Sequence, residues 1–105
     1  MPSTQADCYL VQYILGTALL QTQHYSEAIA HLHKAIEQQP NSAWAHYAMG
    51  ASLVKTGDYK TAVVHLELAS TRLPEFADAH LLLAQAYEHL GKAKDAQGER
   101  NKAKQ

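Results

Sequence analysis

Thiol chemistry is nearly missing from this chain of 105 residues, whose sole cysteine is Cys8. One cysteine closes no internal disulfide and builds no zinc site by itself. An excess of charge of one sign is missing too. Nine Lys and Arg face ten Asp and Glu, a formal net charge of −1. The concentrated positive footprint of a nucleic-acid binder is therefore lacking, and no nucleic-acid partner is expected. Long apolar runs are also absent. The most apolar stretch, Tyr9 to Leu20, contains Gln12 and Thr17. It falls short of the roughly 20 apolar residues that a membrane helix needs, so no membrane partner is expected either. No Lys or Arg precedes Lys34, so the basic start of a secretory signal is missing and the cytoplasm is the expected compartment. With 47% apolar and 18% charged residues, the composition is that of a folded chain rather than a disordered one. The length suits one domain.

What the chain does have is a repeat. Gly16 and Gly50 are 34 residues apart. The same offset pairs Leu15 with Met49, Leu19 with Leu53, Tyr25 with Tyr59 and Ala28 with Ala62. It pairs His31 with His65, Leu32 with Leu66, Ala35 with Ala69 and Pro40 with Pro74. A further step reaches Leu83, Ala84, Tyr87, Ala96 and Ala103. The chain divides into a leader, residues 1–8, and three units, residues 9–42, 43–76 and 77–105, which together make one domain.

Each unit reads as two helices. In the middle unit, Asn41 and Ser42 follow Pro40 and offer N-caps for a helix running to about Thr56. Gly57 suits the left-handed position that ends it. Asp58 can cap a second helix, which runs to about Arg72 before Pro74. Gly91 repeats the stop in the third unit, whereas the first has Gln23 there. A left-handed Gln23 would carry about 1 kcal/mol of strain. Gly16, Gly50 and Ala84 on the first helices, and Ala28, Ala62 and Ala96 on the second, leave room for close approach. Leu15, Leu19, Leu32 and their equivalents fill the remaining space, as interdigitation requires.

These residues resemble the tetratricopeptide repeat family, whose pattern is W-x2-L-G-x2-Y, then A-x3-F, then a small residue and P. The first unit reads Gln12, Leu15, Gly16, Leu19, Ala28, Leu32, Ala35, Pro40. The second reads His46, Met49, Gly50, Leu53, Ala62, Leu66, Ala69, Pro74. The third reads His80, Leu83, Ala84, Tyr87, Ala96, Arg100, Ala103. The departures are Gln12, His46 and His80 in place of Trp, and Arg100 where an apolar residue is expected, which predicts a poorly packed last helix. The expected fold is all-α: a right-handed solenoid of six antiparallel helices in three helix–turn–helix units.

The resemblance implies that the first helix of each unit lines a concave groove. The matching positions are Leu10, Tyr13, Thr17 and Leu20, then Trp44, Tyr47, Ala51 and Val54, then Asp78, Leu81, Gln85 and Glu88. Such a face is apolar and aromatic on one side and acidic-polar on the other. Tyr and Trp are effective anchors because they bury much area at low entropic cost. The competing reading is that some of them pack between units. One subclass of the family grips the acidic tails of chaperones with Lys, Asn, Asn, Lys and Arg. The matching positions here are Tyr13, Thr17, Ala48, Asp78 and Leu82, and none agrees. Asp78 would repel a carboxylate, so chaperone tails are not expected partners.

Catalysis and cofactors are not expected. No phosphate-binding glycine loop, nucleophile elbow or HExxH helix occurs. Cys8 has no histidine near it in sequence to act as a base. The seven histidines lack a metal-ligand spacing. His31 and His33 point to different faces of a helix, and equivalents such as His46 and His80 would sit roughly 10 Å apart on packed helices. No metal site is expected. Residues 92–105 carry a net charge of +3 without interleaved aromatics, which reads as a solvated capping helix. Gly98 inside it costs about 1 kcal/mol relative to Ala.

The first helix is apolar on a face that nothing in the leader covers, through Val11, Ile14 and their neighbours. Terminal repeats normally present a polar outer face. The edge implies a surface against it, either a second copy in a weak homodimer or additional repeats of a longer parent chain. The expected function is a non-catalytic protein-interaction module or scaffold holding a peptide or helix in the groove, its partner unidentified. The alternative is a structural segment of a longer solenoid that positions a fused or associated enzyme without a ligand of its own.

Overall fold

The computed structural model describes residues 5–105, with side chains from Cys8 onward. Six helices follow one another: α1 (Gln5–Gln21), α2 (Tyr25–Gln38), α3 (Ala43–Thr56), α4 (Tyr59–Arg72), α5 (Ala77–His89) and α6 (Ala93–Ala103). Strands are absent among the described residues, and the body measures 51 × 24 × 19 Å. No helix among them is long and apolar enough to cross a membrane. Helix α1 begins four residues before the first unit was expected to, so residues 5–8 belong to it rather than to a leader. Neither glycine nor proline stands there to stop the helix extending.

The helix ends follow the local chemistry. Ser42 caps α3, its hydroxyl accepting from the Ala45 N–H at 3.3 Å. Gly57 ends α3 at φ 85°, and Gly91 takes the same left-handed turn after α5 at φ 78°. Gln23 holds that conformation without being glycine, at φ 68°. Its amide donates to the Leu20 carbonyl at 3.1 Å and the next one, at His24, to Leu19 at 2.8 Å. The carbonyls left over at the end of α1 thus hold the strained residue in place.

Helices pair as α1/α2, α3/α4 and α5/α6, and the pairs stack through α2/α3 and α4/α5. The first helices also touch in series, α1 with α3 and α3 with α5, while α2 and α4 do not meet. The array therefore curves with its first helices on the inside, and that curvature makes the concave face. In the first two units a glycine sets how closely a pair can approach. A Cβ placed on Gly50 would lie 2.5 Å from Leu66 Cγ, and one on Gly16 would lie 2.6 Å from Leu32 Cγ. Leu32 and Leu66 have no exposed surface, so neither can move aside.

The third unit solves the same position differently. Ala84 replaces the glycine and Arg100 replaces the leucine. Arg100 turns outward to pair with Glu88, and the interior of α6 is filled by Ala96 and Glu99. The last helix is thus docked through a small residue and polar bonds instead of an apolar plug.

Candidate functional site

Two arrangements have the convergence of a site. One is a polar layer between the paired helices, repeated in each unit. His31 Nδ1 lies 2.7 Å from Gln12 Oε1, His46 Nδ1 lies 2.8 Å from His65 Nδ1, and His80 Nδ1 lies 2.8 Å from Glu99 Oε1. Each pair spans nineteen residues. One member stands where the family pattern has Trp, and the other is on the second helix. His46 Nε2–H donates to the Pro40 carbonyl at 2.6 Å, and His80 Nε2–H to the Pro74 carbonyl at 2.8 Å. The proton between His46 and His65 therefore sits on His65 when both rings are neutral. Burial first, and the nearby His46 and His33 second, hold His65 below its ordinary pKa of 6.5. His80 faces acceptors with both nitrogens. Lys102 Nζ donates to the other Glu99 oxygen at 3.1 Å.

This layer joins the two helices of each unit. No three potential ligands among the described residues converge on a point that could hold a metal ion, and no buried side-chain nitrogen or oxygen there lacks a hydrogen-bond partner. Sequence reasoning set His31 against His33 on one helix and compared equivalents between units, and so missed these pairs across the two helices of a unit. The offset of nineteen between Gln12 and His31, repeated at His46 and His80, was the available signal.

The second arrangement is the concave face. A pocket of about 430 Å³ opens there. From α3 it takes Tyr47, Ala51 and Lys55, and from α5 Asp78, Leu81, Leu82 and Gln85. Leu20 of α1 and Tyr25 of α2 close the far side. An aromatic group borders it. The Phe76 ring lies 4.8 Å from Tyr47, edge-on, and 5.0 Å from Trp44, tilted. Tyr9 and Tyr13 stack at 5.7 Å, and the Tyr9 hydroxyl shares a 2.6 Å hydrogen bond with Ser42. Burial first and the charge of Asp78 second raise the Tyr47 pKa, so the phenol stays a neutral donor. Burial, and then Tyr9, do the same to Tyr13.

Of the positions expected to face the groove, Leu20, Tyr47, Ala51, Asp78, Leu81 and Gln85 come together in the pocket. Leu10 and Trp44 are exposed, and Tyr13 and Thr17 are half-buried along α1. Glu88 is engaged with Arg100 outside the pocket. Val54 is a correction: it is buried in the core and faces no groove. The wall of α3 follows the i, i+4 row Tyr47, Ala51, Lys55, so Lys55 holds the place expected of its neighbour. Tyr25 and Phe76 were missed because they belong to a second helix and a turn, outside the first-helix pattern.

Paired helices, a regular stack and a concave inner face define a helical-repeat solenoid. Two family models describing the tetratricopeptide repeat match the sequence, one over residues 16–57 and the other over residues 53–100. The chain belongs to the tetratricopeptide repeat family. No curated protein sequence matches it significantly. Among solved structures it is similar to a mutant of MamA, with 26% identity and a TM-score of 0.86 over 91% of this chain and 70% of that one. A crystal structure of MamA matches with 28% identity and a TM-score of 0.83 over 90% of this chain and 56% of that one. MamA from MSR-1 matches with 26% identity and a TM-score of 0.84, over 91% and 55%. The chain thus spans between about half and 70% of the length of these structures.

Proposed function

We propose that this protein is a non-catalytic interaction module that holds a peptide segment of a partner protein in its concave pocket. The family and the MamA-like fold support an interaction repeat. The observation that carries the finer reading is the pocket itself, where apolar floor, two tyrosines and exposed charges converge on the inside of the curve. Such a mixture of apolar area and a few polar groups suits recognition. The partner is a protein other than a chaperone tail, because Asp78 lines the pocket where that ligand would need a cation. The test is capture with the intact protein against a Tyr47→Ala variant. A binding protein retained by the first and lost by the second, at equal helicity, supports the pocket. Identical capture by both overturns it.

A second reading, a stacking segment within a larger array, is favoured by a specific observation. Val11 and Ile14 are 53% and 60% exposed. Of their equivalents on α3 and α5, Ala45, Ala79 and Ala48 are buried and Leu82 is half-buried, at faces where α2 meets α3 and α4 meets α5. That face of α1 is therefore of the stacking kind. It would receive a second copy or further repeats, in an arrangement that positions an associated enzyme. Each such side chain contributes roughly 1.5–3 kcal/mol on burial, enough for a weak dimer after association costs. Sedimentation at high concentration should show dimers that Val11→Glu converts to monomers. Monomers alone for the unsubstituted chain would rule out the homodimer.

A further inference from the structure

The pocket has two electrically different ends. Asp78 lies in the first turn of α5, beside Tyr47, whose phenol feels its charge. Lys55 lies in the last turn of α3. Both line the same pocket, and neither takes part in an ion pair among the described residues. Each sign also suits its own helix dipole, which explains the charge at that helix end. The dipole does not require both side chains to border one cavity. Between them the floor is apolar, with Ala51 and Leu81.

Size then limits the occupant. From Tyr47 to Lys55 the wall runs roughly 12 Å, at 1.5 Å per residue of helix. An extended chain covers that span in about four residues. A helix with its side chains is about 10–12 Å across and would lay only one face against this cavity of about 430 Å³, whereas an extended chain enters it along its length. We propose that the pocket selects a short extended apolar segment carrying a cation at the end that meets Asp78 and an anion at the end that meets Lys55. This selection rests on the peptide-binding reading above. The phenol of Tyr47 is placed to donate to the segment's backbone at the Asp78 end, and Tyr25 borders the far side.

The experiment uses three fluorescein-labelled peptides with blocked termini, read by anisotropy: Lys-Leu-Val-Leu-Glu, Lys-Leu-Val-Leu-Lys and Glu-Leu-Val-Leu-Glu. The mixed-charge peptide should bind roughly fivefold more tightly than either other, the scale of exposed charge pairs, and the gap should narrow with salt. In the Asp78→Lys variant the order should change so that the doubly acidic peptide binds best. A Leu81→Ser variant should weaken all three alike. Equal affinities that still fall in Leu81→Ser would overturn the charge selection and leave the pocket reading standing. Binding indifferent to Leu81→Ser, or no binding to any peptide at millimolar concentration, would overturn both.

Discussion

The second and third units share a backbone and fill its middle by opposite means. In the second, Gly50 admits Leu66, and a histidine faces a histidine. In the third, Ala84 closes that space, Arg100 leaves the interior for Glu88, and a histidine faces a carboxylate. Positions in this fold thus change as pairs across the two helices of a unit. A small residue and its large partner form one choice, and the two members of the polar layer form another. The second unit is a dry joint between neighbours, with Ala62, Leu66 and Ala69 fully buried on α4. The third closes on polar bonds, the buried His80–Glu99 contact and the more exposed Arg100–Glu88 pair.

The sharpest way to break this comparison is to add one methyl group to each unit. Gly50→Ala gains about 1 kcal/mol of helix propensity but forces a Cβ to 2.5 Å from a fully buried leucine. Overpacking of that kind costs up to about 3 kcal/mol, so a net loss of about 2 kcal/mol is expected. For a domain this size the melting temperature should fall by roughly 8 °C or more. Gly98→Ala in α6 meets nothing within 4 Å, so it should stabilise by up to about 1 kcal/mol. Thermal melts giving the same sign for both would mean that the two units are packed alike.

Next in size is the polar layer. Glu99→Ala leaves the buried His80 Nδ1 without its partner, at a cost of about 1–2 kcal/mol by urea denaturation. Glu99→Gln, which keeps an acceptor, should lose less. Equal losses would show that the hydrogen bond is not what holds α6.

The pH response should separate the units as well. His65 has a folded-state pKa below its unfolded 6.5, because burial and neighbouring histidines oppose its charge. Its neutral form is the one the fold prefers. The contribution is fully present above pH 6.5 and is lost as the pH falls from there through the lower folded value. His65→Gln should remove that part of the acid sensitivity. Urea midpoints between pH 7.5 and 5 that fall equally in both proteins would place the acid sensitivity elsewhere.

The smallest effect concerns the turn in the first unit. Gln23→Gly relieves the left-handed strain and should add about 0.5–1 kcal/mol. No gain in melting temperature would mean that the glycine's greater freedom in the unfolded chain cancels the relief.

Much of the fold was legible because the repeat is written at a fixed offset in residues that do mechanical work. Gly50, Ala62 and Leu66 announce the helix pair, and Ser42 with Gly57 marks the ends of α3. The left-handed turn at Gln23 followed from its alignment with Gly57 and Gly91. The site was less legible. Tyr47, Ala51 and Leu81 lie on the first-helix stripe and were readable as such. Lys55 was displaced by one position because a helix face drifts relative to any fixed template. Phe76 depended on a turn that aims its ring at Tyr47, and turn geometry has no period to read. The expectation that Arg100 would leave the last helix poorly packed treated one position alone, when its compensation lay at Ala84 and Glu88.

One feature of the polar layer bears on mechanics. His46 and His80 each tie a first helix back to the carbonyl of the preceding turn, at Pro40 and Pro74. Those turns are the joints between units, where a stacked coil would otherwise be most compliant. A side-chain hydrogen bond restrains each of them in addition to packing. Each bond is a latch that fixes how the first helix of one unit leaves the turn before it.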